Sequence, residues 1–459
     1  MFIFPTLNLR MPEITRALLG YRHRRLPEAR AAAQREGFQG ALYPWQSGSD
    51  GREESQVLHL NPKSMRWVPD NTQLQRHVNA SIAYNVWQHF QVTDDREFLS
   101  WIGAEMILEI ARLFASLATY NSTFDCYEIR KVMGPDEYHD RLPDAHEPGL
   151  DNNAYTNVMA SWVLCRALEL LEILPEERLS TLRELLRIDE SEIEAWDEIS
   201  RSLRVVVSEE GIISQFEGYF DLKEFDWDGY REKYGNIQRL DRILEAEGDT
   251  PNAYKVSKQA DVLMLFYLFS AEELEEMFTR LGITWHPDMI PANVKYYLKR
   301  TPHGSTLSHV VHAWVLARSD RERAWKLFSE ALDADLSDIQ GGTTPEGIHL
   351  GAMAGTVDLV QRNYTGLETR GDVLWFNPAL PIGIDCQRMT LRYRKHSLVV
   401  VLTRDELRIT AREMGTGTIR VACHQEEAEL CAGDTVEFSL RSDETNSNRQ
   451  TVAVSHLSD

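Results

Sequence analysis

Hydrophobic residues recur at helical spacing along most of the chain up to residue 367. In the segment 73–90, Leu74, Val78, Ile82 and Val86 follow one another at every fourth position, which places them on one face of a helix. The same reasoning predicts further helices at 11–19, 27–35, 97–117, 153–174, 191–206, 259–269, 271–281, 306–317, 321–332 and 350–361. Paired helices with long loops are typical of an α/α toroid, and a solenoid is the alternative.

The pattern changes after the proline-bearing segment 377–381. From there, apolar and polar residues alternate in short runs that are rich in β-branched residues and separated by turn residues. These runs predict strands at 389–394, 397–402, 406–411, 419–421 and 435–438. The chain is therefore predicted to be mainly α, with a helical domain over 1–367 and a small antiparallel β-sheet domain over 368–459.

Long loops between the predicted helices carry the most distinctive residues. They are rich in Trp, Tyr, Gly and His, and they cover 43–56, 125–153, 215–234 and 340–349. Loops of this length inside a compact domain are usually functional or disordered, and this composition argues against disorder. These four loops are therefore expected to be functional.

Charge and composition narrow the range of partners. The net charge of −22 repels phosphate backbones and anionic headgroups, so neither nucleic acid nor a membrane surface is expected as a partner. No apolar run approaches the roughly 20 residues that span a bilayer. The 5 cysteines lack CxxC spacing and the histidines lack zinc spacing, which predicts no metal and fits a reducing cytoplasm.

The segment 134–139, Gly-Pro-Asp-Glu-Tyr-His, places an acidic pair between a Gly-Pro turn and a Tyr-His step. Gly and Pro favour an irregular backbone, so Glu137 could project into a cleft from a loop that helices hold still. Among aromatic residues, desolvation would disfavour the charged form of Glu137 and keep it protonated as a general acid. The alternative is an ordinary polar loop with solvated carboxylates.

Three further segments carry candidate binding residues. Trp45 lies in an aromatic and acidic loop, and Lys258 and Gln259 stand at a predicted helix start, where they could donate to sugar hydroxyls. The segment 301–308 opens another helix. Its backbone N–H groups, hydroxyl side chains and helix dipole suit an anion, and the residues proposed to hold that anion are His303, Gly304, Ser305 and Thr306. The alternative interpretation is a surface loop for Trp45, a solvated side chain for Lys258 and a plain Ser/Thr helix cap for the segment 301–308.

Together with the segment 341–349, these motifs occur in the order found in glycoside hydrolase family 65, and the chain resembles that family over nearly its whole length. The family contains inverting phosphorylases and hydrolases of α-glucosides such as trehalose, kojibiose, nigerose and maltose. The resemblance implies an N-terminal β-sandwich, a linker, an (α/α)6 catalytic barrel and a small C-terminal β-sheet domain. Residues 1–5 resemble the segment that follows the family's Phe-Trp-Asp motif. The barrel is therefore expected to be incomplete, without its first helix or the upstream sandwich.

The resemblance also assigns roles. Glu137 matches the general acid, and His303, Gly304, Ser305 and Thr306 match the phosphate-binding loop. Lys258 and Gln259 match residues that line the glucose and phosphate side, and Trp45 is expected to shape the pocket. The expected reaction is inverting phosphorolysis of a disaccharide, with trehalose as the first choice, to β-glucose 1-phosphate plus glucose. Inorganic phosphate is then the co-substrate and no other cofactor is needed.

Two alternatives stay open at this point. An inverting hydrolase of the same family would need a second carboxylate as base, for which Glu217, Asp261 and Glu346 are candidates. A remnant that binds a sugar without turning it over is the other reading, because the Trp-Asp motif is absent. A homodimer is compatible with the family, although the sequence does not specify an interface.

Overall fold

A computed structural model of the chain describes residues 1–339, 347–412 and 415–441. Two compact units divide the chain, Met1–Leu359 and Val360–Asp459. The division falls before the predicted boundary between residues 367 and 368. The first unit is built almost entirely from helices and the second from strands, so the predicted order of a large helical part and a small sheet part is confirmed.

The helices of the first unit are, in chain order, α1 Phe4–Asn8, α2 Pro12–Arg24, α3 Leu26–Arg35, α4 His77–Thr93, α5 Arg96–Phe98, α6 Ala104–Leu117, α7 Ala154–Ile173, α8 Glu176–Leu186, α9 Glu190–Ser202, α10 Trp227–Tyr234, α11 Leu240–Glu247, α12 Asp261–Leu268, α13 Ala271–Arg280, α14 Met289–Leu298, α15 Thr306–Leu316, α16 Arg321–Asp333 and α17 Leu350–Asp358. Every helix predicted from the sequence has a counterpart here. Helices α1, α8, α10, α11 and α14 were not predicted, because each is short or lies in a segment rich in charged and aromatic residues.

The core of this unit forms around α7. It packs against α4, α6, α9, α12 and α13, which explains why most of its side chains are buried rather than one stripe of them. Asn153 caps it by accepting a hydrogen bond from the Thr156 amide at 2.9 Å. The side-chain oxygen of Asn153 caps the helix, and its side-chain nitrogen faces the loop before the helix. Asn153 therefore contacts both the core helix and the loop of the candidate site.

Two predicted helices begin or run differently from expectation. The helix predicted from residue 73 begins at His77, since Thr72–Leu74 forms a separate 3-10 turn. The helix predicted over 97–117 contains a π-helical turn at Leu99–Gly103. The hydrophobic spacing located both helices, but it does not report such changes in winding.

Two small hairpins interrupt the helical unit. They pair β1 Leu58–Asn61 with β2 Arg66–Pro69, and β3 Ala118–Asn121 with β4 Cys126–Ile129. Both lie in segments where no strand was predicted. Their strands have four residues each. Strands β1 to β3 are largely exposed and β4 is buried at its second half, so none of the four shows the alternating burial that reveals a strand in sequence.

The second unit contains two four-stranded sheets. The strands are β5 Glu368–Arg370, β6 Val373–Phe376, β7 Cys386–Tyr393, β8 His396–Thr403, β9 Glu406–Ala411, β10 Ile419–Cys423, β11 Glu426–Leu430 and β12 Thr435–Ser439. The sheet orders are β11-β10-β6-β5 and β12-β9-β8-β7. All five predicted strands are present. The one departure from a purely antiparallel arrangement among these described strands is the parallel pair β10 and β6.

Candidate active site

The segment 134–139 lies between β4 and α7, and its first residue leaves no room for a side chain. A β-carbon on Gly134 would lie 2.0 Å from Asp261 Oδ2 and 2.5 Å from Asn153 Nδ2. Asn153 Nδ2 donates to Asp261 Oδ2 at 2.5 Å. Glycine is therefore required here because the backbone passes directly over a buried amide–carboxylate pair.

Asp136 and Asp261 hold this loop from inside. The Asp136 amide donates to Asp261 Oδ1 at 2.6 Å, and the Asp136 carboxylate accepts from the Lys258 amide. Asp136 Oδ2 also lies 3.0 Å from His139 Nδ1, while His139 Nε2 lies 2.9 Å from the carbonyl of Tyr254. Burial raises the pKa of both aspartates, and the negative charge of Asp136 raises the pKa of Asp261 further. These aspartates are structural anchors of the loop.

Glu137 projects from the same loop with a left-handed backbone, at φ 64°. Its Oε2 accepts a hydrogen bond from Lys258 Nζ at 2.6 Å, and its Oε1 lies 3.5 Å from Gln75 Nε2. The side chain is 34% exposed, so it faces open space at one end and the protein at the other. A non-glycine residue in this conformation is uncommon.

The expected protonation of Glu137 is wrong for the free protein. Burial pushes the pKa of Glu137 upward, as the aromatic surroundings predict, but the charge and hydrogen bond of Lys258 outweigh burial and lower the pKa. Burial alone would lower the pKa of Lys258, and the charges of Glu137 and Asp241 raise it instead. Both groups are therefore charged in the free site.

Gln259 supports the loop from below. Its Nε2 donates to the carbonyl of Pro135 at 3.2 Å, and the residue is 7% exposed. Its Oε1 is buried and accepts no hydrogen bond within the described part of the chain. The structure thus places Gln259 beside the site, with one polar atom committed to the loop and the other unpaired.

Trp45 contacts His77, a histidine beside the site that was not predicted. The Trp45 and His77 rings lie 5.5 Å apart, edge to face, and His77 contacts Tyr155 in the same way at 5.5 Å. Burial lowers the pKa of His77 to about 4, so the ring is neutral. Its Nδ1 lies 3.3 Å from the carbonyl of Met133 and therefore carries the proton, because a carbonyl can only accept.

The segment 303–306 meets the Glu137 loop at Lys258 and Tyr138. A β-carbon on Gly304 would lie 2.5 Å from the Tyr138 hydroxyl and 3.4 Å from Lys258 Cγ, so the backbone runs against both side chains. His303 has a left-handed backbone, at φ 59°. Ser305 caps α15 by accepting from the Leu307 amide at 3.2 Å, and the buried Thr306 is the first residue of the helix.

Three imidazoles cluster behind this segment. The His303 ring lies 5.0 Å from that of His309 and 4.7 Å from that of His312. Burial lowers the pKa of His303 well below its ordinary value, and it lowers those of His309 and His312 to about 4. All three rings are therefore neutral near pH 7.

A cavity of about 670 Å³ opens on one side of Glu137. Glu137, Tyr138 and Lys258 line it at the loop, and Asp241 on α11 and Leu60 on the β1–β2 hairpin line it farther out. This volume lies within the range of pockets that bind small organic ligands. The hairpin and α11, neither of which the sequence pattern revealed, thus form part of the wall.

The three carboxylates considered as the base of a hydrolase differ in what the structure shows of them. Both carboxylate oxygens of Asp261 accept hydrogen bonds, and the residue is 1% exposed, so no water can reach it. Glu217 is paired with Arg204 at 2.7 and 2.9 Å. Glu346 lies outside the described residues. The structure therefore favours neither Asp261 nor Glu217 as an activating base.

The structure brings Glu137, Lys258 and Gly304 together, although they are distant in sequence, and places Gln259 beside the loop of Glu137. Of the predicted site residues, Glu137 and Lys258 line the described cavity, whereas Trp45 contacts His77 and does not line it. Sequence reasoning missed several partners: Gln75, His77, Asp136, Tyr138 and His139. The available signals were polar residues on the buried face of a helix, such as His77 on α4, and the remaining members of the 134–139 motif. Among the described residues, no group of three or more His, Cys, Asp or Glu side chains could hold a metal ion. No described helix is long and apolar enough to cross a bilayer.

The first unit is helical and carries a lysine-paired carboxyl beside a hydroxyl-rich helix start, and a small sheet unit follows it, an arrangement compatible with an enzyme of the helical-barrel class. The family model for the glycosyl hydrolase family 65 central catalytic domain matches residues 1–358. The model for the family 65 C-terminal domain matches residues 367–430. The chain belongs to glycoside hydrolase family 65, and the resemblance stated from its motifs is confirmed.

Curated relatives align along almost the whole chain. An uncharacterized glycosyl hydrolase of Mycobacterium tuberculosis is 51% identical over 95% of this chain and 33% of its own length. The trehalose 6-phosphate phosphorylase of Lactococcus lactis is 36% identical over 96% of this chain and 55% of its own length. The kojibiose phosphorylase of Thermoanaerobacter brockii is 33% identical over 92% and 52%. The chain thus spans a third of the first relative and about half of the other two.

A solved structure assigned as a kojibiose phosphorylase from the human microbiome has the same fold. It matches with a TM-score of 0.77 at 21% identity, over 95% of this chain and 59% of the solved chain. This likeness confirms the predicted fold class, a helical unit of the (α/α)6-barrel type followed by a small sheet unit.

Proposed function

We propose that this chain carries the catalytic residues of an inverting disaccharide phosphorylase, which converts an α-glucosyl disaccharide and inorganic phosphate into β-glucose 1-phosphate and a free sugar. One observation carries the proposal: Lys258 joins the two functional segments. Its Nζ binds Glu137 at 2.6 Å, while its side chain packs against the Gly304 backbone. This adjacency of the proposed acid and the proposed anion-binding helix start supports the proposal.

In this mechanism Glu137 protonates the glycosidic oxygen as the bond to the acceptor sugar breaks, and phosphate attacks the opposite face of the glucose ring. Phosphate is already nucleophilic, so it needs no activating carboxylate. The amides at the start of α15, the Ser305 and Thr306 hydroxyls and His303 would hold it. The new bond joins a phosphate oxygen to the anomeric carbon, and the acceptor leaves with the proton of Glu137.

Glu137 must be protonated when the bond breaks, although Lys258 keeps it charged in the free site. Phosphate binding resolves this conflict. Its negative charge beside Lys258 counteracts the ammonium that lowers the pKa of Glu137, and negative charge raises the pKa of a neighbouring carboxyl. The site therefore takes up a proton as substrates bind, which couples acid formation to the presence of phosphate.

Phosphorolysis fits the site better than hydrolysis because the described candidate bases are occupied. Asp261 is sealed in the loop, and Glu217 is paired with Arg204. A hydrolase would also have no use for an anion-binding helix start beside its acid. The relatives named as phosphorylases of trehalose 6-phosphate and of kojibiose support the same reaction type.

The substrate is proposed as a glucosyl disaccharide, with trehalose tested first and kojibiose, nigerose, maltose and trehalose 6-phosphate beside it. Each sugar is incubated with and without phosphate, and glucose 1-phosphate and free glucose are measured. We expect phosphate-dependent glucose 1-phosphate from one sugar, in the β-configuration when its anomeric proton is observed by NMR early in the reaction.

Glucose released equally without phosphate would establish the hydrolase instead. No turnover of any sugar, combined with measurable sugar binding by calorimetry, would establish the non-catalytic sugar-binding reading. The Glu137→Gln variant serves as the blank in every assay. A cytoplasmic location and a homodimer remain predictions.

A further inference from the structure

Gln75 contacts the oxygen of Glu137 that Lys258 does not hold. Its Nε2 donates to Glu137 Oε1 at 3.5 Å, whereas Lys258 Nζ donates to Oε2 at 2.6 Å. The first distance is long for a hydrogen bond, as contacts of catalytic groups often are before substrate binds. Gln75 is buried, so water has little access to its amide. The carboxyl group is thus held at both oxygens, by a cation on one and by a neutral donor on the other.

The backbone around Gln75 is tied to the loop that carries Glu137. The Met133 amide donates to the carbonyl of Leu74 at 2.9 Å, and His77 Nδ1 donates to the carbonyl of Met133 at 3.3 Å. The residues on both sides of Gln75 are therefore fixed to that loop. This gives the contact between Gln75 and Glu137 a rigid frame, although the two residues come from separate segments of the chain.

The orientation of the Gln75 amide follows from what its two ends can meet. A charged carboxylate can only accept hydrogen bonds, so the amide has to turn its donor end, Nε2, toward Glu137. The Oε1 end is buried and accepts no hydrogen bond within the described part of the chain. Among the described contacts, Glu137 is therefore the only hydrogen-bond partner of the Gln75 side chain.

The charges around Glu137 distinguish Gln75 from its other neighbours. The titratable groups that face Glu137 are Lys258, His77 and Asp261, with Asp241 behind Lys258. His77 is neutral because burial lowers its pKa to about 4, and both oxygens of Asp261 already accept hydrogen bonds in the loop. When phosphate counteracts Lys258 under the proposed function, Gln75 is the described donor that remains on the carboxyl group.

We propose that Gln75 is a positioning residue for the proposed acid: its amide holds Oε1 of Glu137 in place, so that the transferable proton is carried by Oε2 when Lys258 releases that oxygen. A proton placed on Oε1 would meet the N–H that this oxygen already accepts, which makes Oε2 the favoured site. Gln75 acts through Glu137 and not on the reacting bond. The inference rests on the proposed function for the role of Glu137, whereas the contact between the two side chains does not.

The first test measures the pKa of Glu137 without any turnover. Burial raises this pKa, and Lys258 and the Gln75 donor lower it. Gln75→Met keeps the length of the side chain but removes the donor, so we expect the pKa of Glu137 to rise by about 0.5 to 1. It is followed by NMR titration of protein labelled with ¹³C at the glutamate carboxyl groups, with Glu137→Gln to assign the resonance. An unchanged pKa would overturn the inference, whether or not the protein is a phosphorylase.

Gln387→Met is the matched control. Gln387, on β7, is also a buried glutamine whose Nε2 donates to a carbonyl, that of Val360 at 2.6 Å, and whose Oε1 is buried without a partner. Its replacement removes a similar amide from the sheet unit and should leave the pKa of Glu137 unchanged. The same rise in both variants would show a general effect of losing a buried amide and would contradict the proposed role.

The second test compares two leaving groups in phosphorolysis. A disaccharide needs a proton on its leaving oxygen, whereas the fluoride of α-glucosyl fluoride needs little protonation. Gln75→Met should lower kcat for the disaccharide about tenfold, the loss typical of one hydrogen bond to a charged group, and change kcat for the fluoride less than about twofold. Equal losses for both substrates would mean that Gln75 serves packing alone. A wild type that turns over neither substrate would overturn the proposed function, and with it the role in acid catalysis, while the NMR titration still decides the contact.

The pH dependence of kcat/KM gives a third readout. This parameter falls as pH rises through the pKa of Glu137, so a raised pKa in Gln75→Met should move the fall to higher pH. Gln75→Glu has the same shape and places a second carboxyl group beside Glu137, and the joint titration of the two should move the fall further in the same direction. An unshifted profile in both variants would overturn the inference.

Discussion

The loop of Glu137, proposed as the acid loop, and the loop of His303, proposed as the phosphate loop, share a left-handed backbone but differ in charge. Glu137 and His303 both have left-handed backbones, at φ 64° and 59°. Each lies within three residues of a glycine whose β-carbon would clash, Gly134 and Gly304. Glu137, however, is a charged group paired with Lys258, whereas His303 is a neutral ring among neutral rings.

This difference indicates how each loop serves its ligand. A neutral, hydrogen-bonding surface can accept phosphate without first losing an ion pair, even in a chain with a net charge of −22. The loop of Glu137 instead begins with an ion pair to Lys258, which phosphate would loosen under the proposed function. The strained backbone on both sides costs free energy of order 1 kcal/mol per residue and is retained where surrounding packing dictates it.

The largest effect is expected at the acid. Glu137→Gln keeps the shape of the side chain but removes the transferable proton, so turnover of natural disaccharides should fall by about 10²–10⁴-fold. The measurement is kcat for phosphorolysis, with the melting temperature as a check on folding. α-Glucosyl fluoride, whose leaving group needs little protonation, should be turned over much better than a disaccharide by this variant.

Glu217→Gln is the matched control, because Glu217 is also a carboxylate paired with a cation, Arg204. It should retain turnover within a few-fold of the wild type. If Glu137→Gln retained disaccharide turnover, Glu137 would lose the role of acid. If Glu217→Gln abolished turnover instead, the hydrolase reading would return.

The phosphate loop should respond through binding rather than through proton transfer. His303→Ala combined with Ser305→Ala removes two donors to phosphate and should raise the KM for phosphate about 100-fold, while the KM for disaccharide changes little. His396→Ala, which removes a buried imidazole from the sheet unit, is the control. Unchanged saturation by phosphate in the double variant would remove these residues from the phosphate site.

Motif order revealed the candidate residues, but their partnerships are properties of the folded chain. Glu137 and Lys258 are 121 positions apart, so the ion pair that reverses the expected pKa of Glu137 has no local signal in the sequence. Desolvation was predicted with the right sign. The opposing charge was missed because it arrives from the start of another helix.

The prediction of helices and strands from the sequence was limited in a similar way. The long, apolar helix α7 and the alternating strands β7 to β9 were predicted because burial sets their hydrophobic period. The short helix α11 and the β1–β2 hairpin were missed, although they form a wall of the cavity. The hairpin is largely exposed and is joined to α11 by polar contacts, for example Asn61 Nδ2 donating to Glu245 Oε2 at 2.6 Å. Helix α11 does bury Leu240, Ile243 and Leu244 at helical spacing, but its eight residues are too few for that spacing to stand out in the sequence.

Replacing Lys258 should change the pH dependence of catalysis, because Lys258 provides the charge that distinguishes the loop of Glu137 from the loop of His303. Glu137 has to be protonated for kcat/KM, so this parameter should fall as pH rises through the lowered pKa that Lys258 maintains. Lys258→Met removes the lowering charge, and the fall should therefore move to higher pH, with the low-pH plateau reduced about 10- to 100-fold by the lost contacts. Lys131→Met, at an exposed pair with Glu147, should leave the profile unchanged. An unshifted profile in Lys258→Met would mean that another group sets the acid limb.

The smallest effect is expected from a substitution at Gly134, where close packing holds the loop that carries Glu137. Gly134→Ala would place a β-carbon 2.0 Å from Asp261 Oδ2, and forcing these atoms apart should lower the free energy of unfolding by about 1–3 kcal/mol. Gly20→Ala is the matched control of opposite sign. Gly20 lies within α2, and its added β-carbon would meet only a flexible arginine tip at 3.4 Å, so the alanine should stabilise the protein by about 0.5–1 kcal/mol. Urea denaturation measures both. Because the clash displaces the backbone next to Glu137, Gly134→Ala should also lower kcat, whereas Gly20→Ala should not. If the two variants had equal stability and equal activity, Asp261 would not be what fixes the loop of Glu137.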